Sequence, residues 1–227
     1  MVILNLIVVL LLNMEEKLYT FWPTNILHKK FKQHQKVRDD LLEFVKDYKN
    51  KVPNGKEGSE NSNLYESQYD VVSYIEQYPC LKELINFIGE GFKEVAYFSN
   101  KHIWEIQKID PSSVSAKITA LWFIDYLQDG FVFPHIHSGC SWSMVYYLLA
   151  PNTSKKDTYA GTHFLSPLNK ADSDDLGNSY SRETSRNIIP SEGEGLFFPS
   201  TLVHSTYPNK NDDKKIIFSA NCSFFEK

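Results

Sequence analysis

The chain has 227 residues, 42 % of them hydrophobic and 23 % charged, and its 24 Lys plus Arg against 28 Asp plus Glu leave a formal charge of −4. A chain of this length folds as one domain that removes roughly 70 to 75 % of its unfolded surface from water, which excludes disorder, a collagen-like rod and a small disulfide scaffold. The dispersed basic residues, only three of them Arg, form no cationic field of the kind that pairs with nucleic-acid phosphates. Cys80, Cys140 and Cys222 are odd in number and share no C-x-x-C spacing, which speaks against a disulfide framework or a thiolate zinc site and for a reducing, cytoplasmic setting.

In chain order, residues 2–12 are apolar apart from Asn5. They fall far short of the ~20 residues of a membrane span and lack the basic start and A-x-A site of a secretory signal, so no membrane attachment is expected. Met14 is an alternative start, which would make 1–13 an extension outside the native protein; the rival is a short apolar element packed on the domain. Residues 14–227 read as a single domain with helical support over 30–110 and a β core over 112–227. Apolar Val37, Leu41, Leu42, Phe44 and Val45 recur at helical spacing and predict an amphipathic helix over 34–49. Polar 53–63 reads as a loop, and helical periodicity returns over 81–94, where Leu81, Leu84, Ile85, Ile88 and Phe92 share a face. After Pro111 the runs become short, alternating and rich in Val, Ile, Phe, Tyr and Trp, predicting strands over 115–126, 131–137, 141–149, 162–165, 195–199 and 214–225. The polar segment 166–190, with Arg182 and Arg186, reads as a long loop of the kind that covers a functional site. There is no internal repeat.

The chemistry concentrates in Phe133-Pro134-His135-Ile136-His137 and, much later, Phe198-Pro199-Ser200-Thr201-Leu202-Val203-His204. Side chains at i and i+2 of a strand point the same way, so His135 and His137 can present both imidazoles to one point, where a third from a later strand completes one triangular face of an octahedron. The opposite face stays open to substrate and oxygen, as in non-haem iron sites. An H-x-H pair is also a common hydrogen-bonded feature of strands, so spacing alone leaves the metal open.

The order of motifs adds context. Residues 122–137 and the strand 141–148 are followed by Gly161-Thr162-His163-Phe164-Leu165-Ser166-Pro167, then by Gly195-Leu196-Phe197-Phe198-Pro199-Ser200 with His204, then by 215–221. This series resembles the iron(II)/2-oxoglutarate-dependent oxygenases, above all their bacterial and phage branch, in which an H-x-H precedes a strand ending in Tyr-Tyr and the sheet finishes in an Arg-led strand closing with Asn. The opening Leu18-Tyr19-Thr20-Phe21-Trp22-Pro23-Thr24 is also similar to that group's start. The likeness runs from Met14 onward, its specific part over 122–221. It implies a double-stranded β-helix, a mainly β jelly-roll barrel flanked by helices, and a soluble dioxygenase using Fe(II) and the cosubstrate 2-oxoglutarate.

In such enzymes the first histidine of the motif and the distal histidine bind iron, and these fall on His135 and His204. The usual third ligand is Asp or Glu where this chain has His137, so three arrangements stay open: a three-His site, two protein ligands with His137 beside them, or a carboxylate from elsewhere, Asp125 being the nearest. The family's arginine for the far carboxylate of 2-oxoglutarate is replaced by Lys215, a point charge without the bidentate fork. Alternation puts Lys215, Ile217, Ser219 and Asn221 on the barrel face and Lys214, Ile216, Phe218 and Ala220 on the helix face, although a solvated Asp212-Asp213-Lys214-Lys215 turn competes. Tyr126 and Tyr147 are candidates to add hydroxyls to the same carboxylate, and Asn221 to donate near the iron. Trp122, Trp142 and Phe133 read first as core and only second as walls of a substrate pocket. Arg182, Arg186, Trp142 and His163 are candidate contacts to a small-molecule or peptide substrate. A homodimer stays open. The expected reaction is hydroxylation of a C–H bond with release of succinate and CO2; the alternatives are a cupin-like three-His dioxygenase or isomerase without 2-oxoglutarate, and a non-catalytic jelly roll.

Overall fold

A computed structural model describes residues 23–58, 62–151, 161–168, 182–210 and 214–226. The proposed extension 1–13 and residues 18–22 of the family-like opening lie outside the described residues. The elements run β1 (Leu27–Lys30), α1 (His34–Lys51), β2 (Leu64–Glu66), α2 (Pro79–Gln107), β3 (Val114–Tyr126), β4 (Trp142–Leu149), β5 (Thr162–Leu165), β6 (Ser185–Ile188), β7 (Glu194–Pro199), β8 (His204–Ser205) and β9 (Lys215–Glu226). The strands pair antiparallel into a six-stranded sheet, ordered β1-β7-β4-β9-β3-β2, and a three-stranded sheet, ordered β6-β5-β8.

Strand alternation divides the apolar residues between two cores. On one face of the large sheet Trp142, Met144, Tyr146 and Leu148 of β4 and Ile216, Phe218, Ala220 and Cys222 of β9 pack against Leu41 and Phe44 of α1 and Leu84, Ile88 and Phe92 of α2. On the other face Trp122, Ile124 and Tyr126 of β3, Val145 and Tyr147 of β4 and Ile217 of β9 pack with Phe164 of β5, Phe198 of β7 and Leu202. The second core is the barrel interior. Gly91 lets α2 approach β7: a Cβ there would stand 2.1 Å from the Phe197 ring, so only glycine fits the contact without moving that ring.

Several sequence expectations are corrected. Helix α2 continues past 94 to Gln107; its last turns expose Tyr97, Phe98, Ile103 and Ile106, so the buried stripe that defines the periodicity ends before the helix does. The short strands β1 and β2 exist because they pair with the long strands β7 and β3, not because their own composition demands it. The expected strand 131–137 is not a regular strand. Pro134 has no N–H to give a ladder, and within the segment only His135 bridges, to His204. Residues 185–188, assigned to a covering loop, form β6 at the edge of the small sheet, where polar side chains are favoured. No described helix is long and apolar enough to cross a membrane, and all three cysteines are free thiols.

Candidate metal centre

His135 and His137 lie in the β3–β4 connection and His204 opens β8. The backbone locks the two segments together: the N–H of His135 donates to the carbonyl of His204 at 3.0 Å, and the N–H of His204 returns a bond to His135 at 3.1 Å. The N–H of His137 donates to the Ser200 carbonyl at 2.9 Å, while the Ser200 hydroxyl donates to the Cys140 carbonyl at 2.6 Å. So placed, the three imidazoles offer ligand atoms that all lie within 4.8 Å of one another, and among the described residues no carboxylate or thiol joins them.

Their hydrogen bonds settle which nitrogen faces inward. Nδ1 of His135 stands 2.8 Å from the Phe133 carbonyl, and Nδ1 of His204 stands 2.9 Å from the Leu202 carbonyl. A carbonyl only accepts, so both Nδ1 atoms carry hydrogen and both Nε2 lone pairs are free to ligate. Nε2 of His137 is 3.3 Å from Nε2 of His204. Burial pushes the pKa of His137 down to about 4 and that of His204 down to about 3, the neighbouring His135 adding to both. At neutral pH these rings are therefore uncharged, as metal ligation requires. Without a cation the Nε2–H of His137 can donate to Nε2 of His204; in its other tautomer His137 turns a third lone pair to the same point, so the donor set fits a divalent first-row metal with open positions. Asp125 does not compete. It points to the opposite face of β3, where its Oδ2 lies 2.5 Å from the ammonium of Lys49 on α1.

A cavity of about 540 Å³ adjoins the histidines, walled by Trp122, Ile124 and Tyr126 of β3, Val145 of β4, and Ile217, Ser219 and Asn221 of β9. The expected alternation of β9 holds. Asn221 is fixed by the Ser143 hydroxyl, which donates to its Oδ1 at 2.9 Å. Lys215 and Tyr147 stand beyond the lining, at the next inward positions along β9 and β4. Lys215 is not a solvated turn: it is 1 % exposed, with its ammonium 4.3 Å from the ring centre of Tyr126 and 5.7 Å from that of Tyr147. Among the described residues no carboxylate pairs with it, and burial pulls its pKa down to about 7. Tyr147 shares a 2.7 Å hydrogen bond with the Thr162 hydroxyl, and burial raises the pKa of both tyrosines.

Other candidates fall elsewhere. Trp142 packs on the helix side of β4 and is absent from the cavity wall, because its parity is that of Tyr146 and not of Tyr147. His163 also misses the wall: Thr162 takes the inward position, and His163 meets the hydroxyl of Tyr207 at 3.4 Å. Arg186 is paired with Glu183 at 2.5 Å on the surface, and neither it nor Arg182 lines the cavity. Phe133, read first as core and second as pocket wall, takes the second place, exposed at the mouth, since the segment that carries it leaves the ladder. Sequence reasoning missed Lys56, Glu57, Glu66 and Tyr69, which reach the mouth from polar stretches without a motif, and Thr162 and Thr206 on the wall. Thr206, two residues after His204, was within reach of a parity argument.

Residues 120–221 match a family model described as "Putative 2OG-Fe(II) oxygenase", a span that includes all three histidines and Lys215. Among solved structures, the epimerase SnoN from nogalamycin biosynthesis, in complex with Fe3+, alpha ketoglutarate and nogalamycin RO, superimposes with a TM-score of 0.53 at 11 % identity over 90 % of this chain and 82 % of that one. A prolyl-4-hydroxylase of Pseudomonas putida gives 0.50 at 11 % identity over 88 % and 92 %. The chain spans only 46 % of the length of a 2OG-Fe(II) oxygenase family oxidoreductase from Burkholderia pseudomallei, covering 48 % of this chain at 12 % identity and a TM-score of 0.36. No curated protein matches the chain in sequence. At such identities the first two likenesses are ones of fold, and they bear out the jelly roll flanked by helices.

Proposed function

We propose, from the match of residues 120–221 to a family model described as "Putative 2OG-Fe(II) oxygenase", that the protein is an Fe(II)- and 2-oxoglutarate-dependent dioxygenase that hydroxylates a C–H bond of a small-molecule or peptide substrate. The overall change takes one dioxygen, one 2-oxoglutarate and the C–H compound to the alcohol, succinate and CO2. One observation carries the reading: three imidazoles converge at one end of an inward-facing wall whose other end hides an ammonium with no carboxylate partner among the described residues.

His135, His137 and His204 would hold Fe(II), which when bound supplies the redox chemistry with dioxygen and the 2-oxo acid. With three neutral ligands the site carries one more unit of positive charge than a site with a carboxylate, which favours an anionic chelating cosubstrate. Lys215 would pair with the far carboxylate of 2-oxoglutarate, and Tyr126 and Tyr147, whose rings lie beside that ammonium, would add their hydroxyls to the same carboxylate. Asn221, held by Ser143, would donate to an oxygen beside the metal. Ile124, Val145 and Ile217 give the wall between an apolar surface, which strengthens each of these interactions. A three-His enzyme that needs no 2-oxo acid has no use for a buried cation at Lys215.

The test is anaerobic addition of Fe(II) and then 2-oxoglutarate to the apoprotein, followed by its weak visible charge-transfer band. The band is expected in the wild type and not in His135→Ala. Iron binding without a band, with any 2-oxo acid, would overturn the cosubstrate reading.

A further inference from the structure

The outer half of the cavity is built from rings that neither metal nor cosubstrate needs. Tyr69 and Trp122 lie with ring centres 4.8 Å apart, inclined at 56°, and Trp122 continues to His137 at 5.7 Å. The β3–β4 connection brings Phe131 and Phe133, edge to face at 4.7 Å, with Ile136 beside them in the wall. Tyr69, Phe133 and Ile136 are 50 %, 64 % and 52 % exposed. Apolar side chains left in water round a concave site mark a binding surface.

The charges at the mouth narrow the ligand. Lys56 lies 2.6 Å from the Tyr69 hydroxyl and 3.2 Å from Oε1 of Glu66, with its ammonium 4.6 Å from the Tyr69 ring centre. Glu66 balances that cation and Glu57 adds a second carboxylate to the wall, so the described residues of the entrance present no net positive field to a carboxylate or phosphate. A free cation meets Lys56 already seated on the Tyr69 ring.

We propose that the outer cavity binds an uncharged aromatic ring of the primary substrate, stacked on the Tyr69–Trp122 pair and on Phe133, so that a C–H bond attached to the ring is turned toward the histidines. This deepens the oxygenase reading and rests on it for the chemistry, though ring binding can be measured by itself.

Benzyl alcohol, benzylamine and phenylacetate share a ring and differ in charge, and cyclohexylmethanol keeps the bulk without aromaticity. Their affinities are read by saturation-transfer NMR and titration on the full chain with excess 2-oxoglutarate. Benzyl alcohol is expected to bind tightest, with phenylacetate, benzylamine and cyclohexylmethanol each weaker. Tyr69→Ala and Phe133→Ala are each expected to weaken benzyl alcohol about fivefold, the strength of one ring contact. Both residues are half exposed or more, so their truncation leaves the fold standing, which an unchanged melting temperature verifies. The proposal is overturned if benzyl alcohol fails to bind, if a charged or saturated analogue binds as tightly, or if both truncations leave its affinity unchanged. The anaerobic Fe(II)/2-oxoglutarate band separates the two readings: a band without ring binding removes the ring site alone, and ring binding without a band supports the ring site while removing the cosubstrate reading.

Discussion

Lys215 is the residue on which fold and function pull in opposite directions. Its amine titrates near 10.5 in the open chain and at about 7 in the fold. Between those values the unfolded state holds a proton that the folded state lacks, so for this group stability rises with pH from about 7 to about 10.5 and is lowest below 7. Lys215→Met removes that penalty. The apoprotein of this variant is expected to be more stable at pH 7 by on the order of a few kcal/mol, because one pKa unit is worth about 1.4 kcal/mol, while 2-oxoglutarate affinity falls about tenfold or more with the lost charge-assisted bond. In the wild type the bound carboxylate needs the ammonium, so above pH 7 binding takes up a proton. Calorimetry in buffers of different ionisation enthalpy should show that uptake, with affinity dropping by up to about tenfold per pH unit. A pH-independent affinity would remove Lys215 from the carboxylate site. The histidines were readable as a motif, yet which nitrogens face inward was not, because that depends on the carbonyls of Phe133 and Leu202. His204→Ala is expected to lower metal affinity by more than the roughly 10- to 100-fold that follows loss of an outer hydrogen-bond partner, measured by competition with a chelating dye.

At the scale of elements, α2 and the β3–β4 connection show two ways in which pattern and structure part. The stripe of α2 was legible wherever it met the sheet and silent beyond it. Gly91→Ala tests that contact. In a free helix alanine is favoured by about 1 kcal/mol, but here the added methyl meets the buried Phe197 ring, so the variant is expected to lose about 1–3 kcal/mol by overpacking, read as a lower denaturant midpoint at unchanged slope. A gain in stability would show that Phe197 moves aside freely. In the β3–β4 connection His135 and His137 converge as an i, i+2 pair would, although the expected strand does not form. His135 and His137 are aimed by separate backbone bonds to His204 and Ser200. The same departure from the ladder exposes Phe133, and the opposite parity of β3 takes Asp125 out of the barrel to Lys49.

For the whole molecule, the candidate centre lies where a loop of the large sheet meets the edge of the small one, so a bound metal ties β8 and the β3–β4 connection together. Ni(II) with 2-oxoglutarate at about 100 times its dissociation constant should stabilise the fold by about 2.7 kcal/mol. For a domain of this size that is a rise in melting temperature of roughly 5 to 10 °C. Chelation should reverse the rise and His204→Ala should abolish it, whereas a shift that survives His204→Ala would place the metal elsewhere.

By itself the sequence determined the class of the fold, the helical first half and β second half, the inward face of β9 and the histidines that meet, because alternation and periodicity are local and each long strand carries its own record of which side is buried. What only the tertiary structure decided is the rest of the site. Lys56, Glu66 and Tyr69 come to the mouth from a polar stretch because β2 pairs with β3. Trp142 and His163 are turned away by a parity that is fixed only once neighbouring strands choose their faces. Lys215 becomes a buried cation, not a solvated one, because Tyr126 and Tyr147, distant in sequence, close over it. A side chain's environment is set by long-range contacts, and no window of the chain contains them.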